Sequence, residues 1–428
     1  MSILNSLFTG TSGLRAHGSA IGVVGDNIAN VSTVGFKGAR ARFADVLGGT
    51  APDANRLGAG VRMGGTDTQF GQGGLLQTGS ALDMAIRGRG FFVVSGNHDG
   101  QTGTFYTRDG RFSLDDSGYL VTPEGLRVQG YAIDGTGAVS TQLGDLALGA
   151  GQSAPQATSS LTMHVNLDAN ATPPAPFDPL NPDTTSNFST SATVYDSLGA
   201  AHRVDVYFRA TGSGAWEWHA MVDGGEITGG TAGTPSEIAS GTLTFTPNGE
   251  LDTEVTTSSS ANFINATPGQ TITFDFGDSI TTDGGTGLAG TTQFAGPSSV
   301  TRIDQDGYGA GELVDVTVSE DGTIVGAFSN GQRREIARLA LATFTSEQGL
   351  VRAGNQLYAE TRDSGQALIG AAGSGGRGAI SSGSLEGSNV DVGEQLVTLI
   401  SYQRAFQANA RTVTTADEML AEVANLKR

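Results

Sequence analysis

The chain contains no cysteine. Disulfide frameworks, thiolate zinc sites, cysteine nucleophiles and iron–sulfur clusters are therefore excluded outright. Lysine is almost missing as well: Lys37 and Lys427 stand alone, and every other cation is an arginine. No phosphate-binding loop that needs a lysine at its end can be assembled from these two. No run approaches the 18 apolar residues of a membrane span, and the first twenty residues lack the charged and apolar regions of a cleaved signal. Positive charge is scarce, with 24 Lys and Arg against 43 Asp and Glu and a net charge of −19. Nucleic acid and anionic membrane are thereby disfavoured as partners.

Catalytic signatures are scarce too. The five histidines, His17, His98, His164, His202 and His219, show no metal-ligand spacing, and no HExxH or GxSxG occurs. The Asp-Gly pairs at 99–100, 109–110, 306–307 and 321–322 lack the further oxygen ligands that calcium demands, and hairpin turns account for them. The expectation is a non-enzymatic protein without cofactor or metal.

Glycine is abundant, at 65 of 428 residues, and implies many tight turns. Leu7, Leu14, Ile21 and Ile28 form a heptad that predicts an N-terminal helix ending near Gly35. Gly10, Gly13, Gly18, Gly22 and Gly25 lie inside it at about 1 kcal/mol each, so it should be weak alone. A second heptad, Val392, Leu399, Phe406, Val413 and Leu420, predicts a C-terminal helix, with Ser388 and Asp391 placed as a capping box. Lys427 and Arg428 would sit at its negative end. Each seam is narrow, which suits packing against other long helices.

Between the helices the texture is β. Residues 91–94, 104–107, 119–122, 192–196, 203–208, 271–276 and 313–318 are β-branched or alternating and bounded by turn residues, in a pattern that suits antiparallel sheets. Residues 169–187 hold five prolines and read as a linker or surface loop. Residues 151–300 carry 15 acids and two bases, Arg203 and Arg209, and read as a solvated, outward-facing domain.

Several runs resemble one family. Ser12–Ala16, Asn27-Ile-Ala-Asn30 and Val34-Gly-Phe-Lys37 resemble the N-terminal signature of bacterial flagellar rod and hook proteins. Gly383–Asp391, Ser401–Asn409 and Thr415–Leu420 resemble the C-terminal signature, and Phe105–Phe112 with Gly118–Leu120 fits the inner β-domain. Thr193–Gly199 with Trp216, Gly307–Leu313, Ser329–Gln332 and Ala342–Phe344 favour the hook branch over a distal rod protein, which is the nearest alternative. A secreted β-rich adhesin or hydrolase would leave both terminal signatures unexplained.

The resemblance implies an α+β architecture: terminal coiled-coil-type helices plus two mainly antiparallel β-domains, the outer inserted in the inner. The expected partition is 1–35 N-terminal helix, 36–75 extended linker, 76–148 inner β-domain, 149–298 outer acidic domain, 299–375 return of the inner domain, and 376–428 C-terminal helix. It also implies a curved tube of identical subunits outside the cell that transmits motor torque to the filament. The implied partners are further copies of the chain, flagellar rod, hook cap and hook–filament junction proteins, and an export apparatus that needs no cleaved signal. Neither nucleic acid nor membrane insertion is implied.

Overall fold

The computed structural model describes residues 3–47, 58–135, 137–149 and 152–425. The expected terminal charges Lys427 and Arg428 lie outside them.

Two long helices stand at the ends of the chain, Ile3–Ala29 and Val392–Asn425. The first stops short of Gly35. Asn30 turns its side-chain amide back onto the Asp26 carbonyl and carboxylate at 2.9 and 3.1 Å, and the next backbone bonds, Val31 N–H to Ile28 and Thr33 N–H to Asn30, are three-residue turns. Local side-chain bonding of this kind competes with helix continuation. The second helix is capped by Asp391 alone, which accepts the Glu394 N–H at 3.0 Å. Ser388 is not half of a capping box, because its hydroxyl instead accepts the Val390 N–H at 3.3 Å.

The expected extended linker 36–75 is not one. Ala39–Leu47 and Gly58–Thr68 pair antiparallel, from Ala39 opposite Thr68 to Leu47 opposite Gly58. Alternate small and apolar residues turn one face of this ribbon to the N-terminal helix, where Ser12 Oγ accepts the Val61 N–H at 3.1 Å.

The chain divides into two compact units, Met1–Ala150 with Val314–Ala327 and Arg333–Arg428, and Gly151–Leu313 with Phe328–Gln332. The main sheet of the first runs, strand beside strand, Thr323–Phe328, Arg333–Thr343, Arg127–Ala132, Phe91–His98, Gln101–Thr107, Leu357–Ala359 and Val351–Gly354. Phe91, Val93, Tyr106, Ala342, Phe344 and Tyr358 form a core on it. Asp99 and Gly100 join two of these strands with φ of 49° and 80°, the doubly positive geometry of a tight hairpin. Asp321-Gly322 also turns between strands, but Asp109-Gly110 and Asp306-Gly307 do not. Gly110 accepts the Met84 N–H through its carbonyl, and the Asp306 carboxylate accepts the N–H groups of Ser159 and Ser160.

The second unit is built on a five-stranded antiparallel meander, Phe188–Tyr195, Ala201–Gly212, Ala215–Asp223, Pro235–Phe245 and Leu251–Ser259. Period-two burial is clean along Ala201–Gly212, where His202, Val204, Val206, Phe208 and Ala210 point inward. Trp216, Trp218, Phe263 and Phe276 fill the same core. A smaller sheet sets Ser160–Asn166 between Thr273–Asp275, parallel to it, and Ser299–Gln305, antiparallel. Ser299–Gln305 therefore pairs within this unit, although the sequence expectation ended the acidic domain at 298. Edge strands of mixed, exposed residues carry no core pattern by which to assign them. The proline-rich stretch is a surface loop held down at several points: Arg209 donates to the Ala175 and Pro174 carbonyls at 2.8 and 3.2 Å, and Phe177 stacks on His219 at 3.7 Å.

Candidate functional site: the paired terminal helices and the buried joint at their base

The two terminal helices pack antiparallel along much of their length, and small residues make the contact. Gly10, Gly13, Ala16, Ala20, Val24 and Asn27 are the buried positions of the N-terminal helix. A Cβ added at Gly13 would lie 2.5 Å from Asn409 Oδ1, and one at Gly10 2.8 Å from Val413 Cγ2. At these two glycines the C-terminal helix leaves no room for a side chain. Gly22 and Gly25 meet nothing within 4 Å.

The heptad residues Leu7, Leu14, Ile21 and Ile28 are half-buried and lie to one side of that line, about a quarter-turn round the helix from Gly13 and Ala20. On the C-terminal helix Val413 and Phe406 meet the first helix, Phe406 Cε2 lying 3.8 Å from the Gly18 position; Leu399 and Leu420 are half-buried and Val392 is exposed. Periodicity picks out large apolar residues, whereas close approach selects small ones, so the line of closest contact was missed. An aromatic triangle adds to the contact: His17, Phe43 and Tyr402 stand 5.2, 5.8 and 6.0 Å apart, joining both helices to the ribbon.

Not all of the helical surface is covered. Leu396, Val397 and Ile400 on the C-terminal helix are 46%, 69% and 49% exposed, and Leu4 and Phe8 on the N-terminal helix are exposed as well. Leu396 and Ile400 are four residues apart and share a face.

At the base of the helices lies a buried joint. Lys37 Nζ stands 2.6 Å from Glu386 Oε1, and Arg108 Nη1 stands 3.1 Å from Glu386 Oε2, with all three side chains almost wholly removed from solvent. Glu386 also accepts the Gly73 N–H at 2.9 Å, while Lys37 and Arg108 donate to the carbonyls of Gly71 and Gly88, each at 2.9 Å. Burial pushes the Lys37 ammonium below its usual range, against the opposing pull of Glu386. Above the joint two asparagines bind backbone at both ends of their amides. Asn27 exchanges hydrogen bonds with Ala39 at 2.7 and 2.8 Å, and Asn389 accepts the Gly38 N–H at 2.8 Å and donates to Gln69 at 2.6 Å. Gly35 closes the set by donating its N–H to the Glu386 carbonyl at 2.7 Å.

Lys37, Arg108 and Glu386 come from three separate runs, Val34–Lys37, Phe105–Phe112 and Gly383–Asp391, and those runs meet here. Sequence reasoning did not find the joint. Its members lie 278 and 349 residues from Glu386, so no spacing links them; the one signal was a rare lysine inside a motif. Among the described residues no group of three His, Cys, Asp or Glu could hold a metal ion.

Known proteins are similar to this chain in sequence. The family model "Flagella basal body rod protein" matches residues 7–37, "Flagellar hook protein FlgE/F/G D1 domain" 85–172, "Flagellar basal body protein FlaE D2 domain" 166–308, and "Flagellar basal body rod FlgEFG protein C-terminal" 381–426. The chain is 34% identical over 421 residues to the flagellar hook protein FlgE of Salmonella typhimurium, covering 97% of this chain and 98% of that one. It is 34% identical over 455 residues to the hook protein of Borreliella burgdorferi, covering 99% and 100%, and 35% identical over 478 residues to that of Treponema pallidum, covering all of both. A solved structure of the Helicobacter pylori hook protein FlgE2 aligns with 71% of this chain and 98% of that chain at 16% identity, with a TM-score of 0.45, too loose to carry weight.

Proposed function

This chain belongs to the flagellar hook protein family, and from that premise we propose that it is the structural subunit of a bacterial flagellar hook. In this reading it polymerises into a curved, bendable tube outside the cell that passes motor torque to the filament, and it has no catalytic role. The terminal helices pair as a coiled-coil-type lining of the tube, and the acidic second unit, inserted in the first, faces outward. The chain is exported without a cleaved signal and contacts rod, cap and hook–filament junction proteins at the ends of the tube.

One observation carries the reading. The paired helices bury their small-residue line against each other yet leave Leu396, Val397 and Ile400 bare. Fully burying one such side chain contributes about 1.5–3 kcal/mol, and with roughly half of each still exposed a monomer in water forgoes a few kcal/mol in all that neighbouring copies recover. In the tube reading these contacts are heterologous, and such contacts build an open helical assembly where the rotation between copies does not close a ring. The test is the double variant Leu396→Asp with Ile400→Asp. Both sites are exposed, so a folded monomer is expected by circular dichroism, with no sedimentable polymer. Tubes of normal yield from that variant would overturn the reading.

A further inference from the structure

On the C-terminal helix, Val392–Asn425, the contact with the N-terminal helix is made through Phe406, Asn409 and Val413. At about 100° per residue, Arg404, Arg411, Glu418 and Glu422 fall within about 40° of one another, roughly half a turn round the helix from that contact. All four are exposed. They continue the side on which Leu396, Val397 and Ile400 stand bare.

The charges along this face are sorted. Two arginines come first and two glutamates follow, and the helix has no other cation between Val392 and Asn425. No opposite charge stands three or four residues from any of the four, so none can pair along its own helix. Among the described residues their side chains make no hydrogen bond or ion pair. Glu418 and Glu422 are like charges four residues apart, a spacing that destabilises a helix, and Glu422 lies in the last turn, at the negative end of the dipole. Lys427 and Arg428 lie outside the described residues and beyond the four-residue reach of Glu422. Along a single helix the arrangement is therefore unfavourable, and its two halves match only across copies.

We propose that this face is self-complementary between copies: Arg404 and Arg411 of one copy pair with Glu418 and Glu422 of the next, on parallel helices shifted along their axes. The midpoints of the basic and acidic pairs are about 12.5 residues apart, so the shift is about 19 Å at about 1.5 Å per residue. Arg404 then stands about 2 Å from level with Glu418, and Arg411 about 2 Å from level with Glu422, offsets that these long side chains absorb. Without the shift, like charge would face like. Every copy offers both halves, so the contact is heterologous and repeats from copy to copy. This register rests on the tube reading, in which neighbours point the same way, and adds to it which residues set the step between them.

Sedimentation of the full-length protein under polymerising conditions tests it. Arg404→Glu with Arg411→Glu makes the face wholly acidic, and Glu418→Arg with Glu422→Arg makes it wholly basic. All four sites are exposed, so each variant monomer is expected to keep its helical dichroism. One exposed ion pair is worth up to about fivefold in an equilibrium, so losing two and gaining repulsion should raise the critical concentration at least about tenfold in either double variant. The exchange of all four residues restores the pairing and should return to within about threefold of wild type. Net charge alone predicts otherwise, because the first double variant is more acidic than wild type and the second less so, and their effects would be opposite. Tubes from either double variant at the wild-type concentration, or a fourfold exchange no better than the doubles, overturn the register and leave the tube reading standing. An antiparallel pair would match the same charges but close, so a wild type that stops at two copies also overturns it. A wild type that never polymerises overturns both.

Discussion

Replacing Glu386 with Gln removes the one anion that faces both Lys37 and Arg108. The carboxylate takes donors from Lys37 Nζ at 2.6 Å, Arg108 Nη1 at 3.1 Å and the Gly73 N–H at 2.9 Å. A neutral amide keeps the shape but takes from two buried cations the carboxylate they both bond to. Breaking a buried pair from one side costs about 3–5 kcal/mol. Lys37→Met is milder at about 2 kcal/mol, because Glu386 keeps Arg108 and Gly73 while the Gly71 carbonyl loses a donor. The double variant loses an unpaired cation as well as the anion. Its cost should fall about 2 kcal/mol below the sum of the singles. Urea unfolding followed by helical circular dichroism measures all three. An internal control is built in, since both tryptophans, Trp216 and Trp218, lie in the second unit. Their fluorescence transition should stay where it is while the dichroism transition moves. Additive costs, or equal shifts in both signals, would refute the coupled joint.

Two further changes test the helices. Gly13→Ala gains about 1 kcal/mol of helix propensity but drives a methyl into Asn409, an overpacking worth about 1–3 kcal/mol; thermal melts should show net destabilisation, and adding Asn409→Ala should reverse it. Asp391→Ala removes the cap on the Glu394 N–H and should cost the C-terminal helix about 1 kcal/mol, read as faster hydrogen exchange in its first turn.

Much of the β architecture was legible in the sequence because its strands are β-branched or aromatic runs bounded by turn residues; Phe91–Val94, Thr104–Thr107 and Arg203–Phe208 all fall within strands, and the last also alternates between buried and exposed positions. Both terminal helices were legible from periodic apolar residues, yet their line of closest contact was not. Glycines read as a cost to the helix proved, at Gly10 and Gly13, to be positions where the partner helix leaves no room for a side chain, a fact that depends on that helix and not on propensity. The ribbon at 39–68 was hidden because its strands are short of large apolar residues and rich in Gly, Ala and Arg. The Lys37–Glu386–Arg108 joint was hidden because its members are brought together only by the fold. Some of the motif residues that carried the family resemblance, Asn27, Lys37, Arg108 and Asn389 among them, now have physical reasons: each satisfies buried backbone or charge where the two ends of the chain meet.

The central claim is that the bare stripe on the C-terminal helix becomes buried when copies of the chain assemble. A chain without cysteine allows this to be asked directly, by introducing Leu396→Cys or Ile400→Cys one at a time and labelling with a maleimide. The account predicts ready labelling in the monomer and strong protection in polymerised tubes; equal labelling in both states would contradict it.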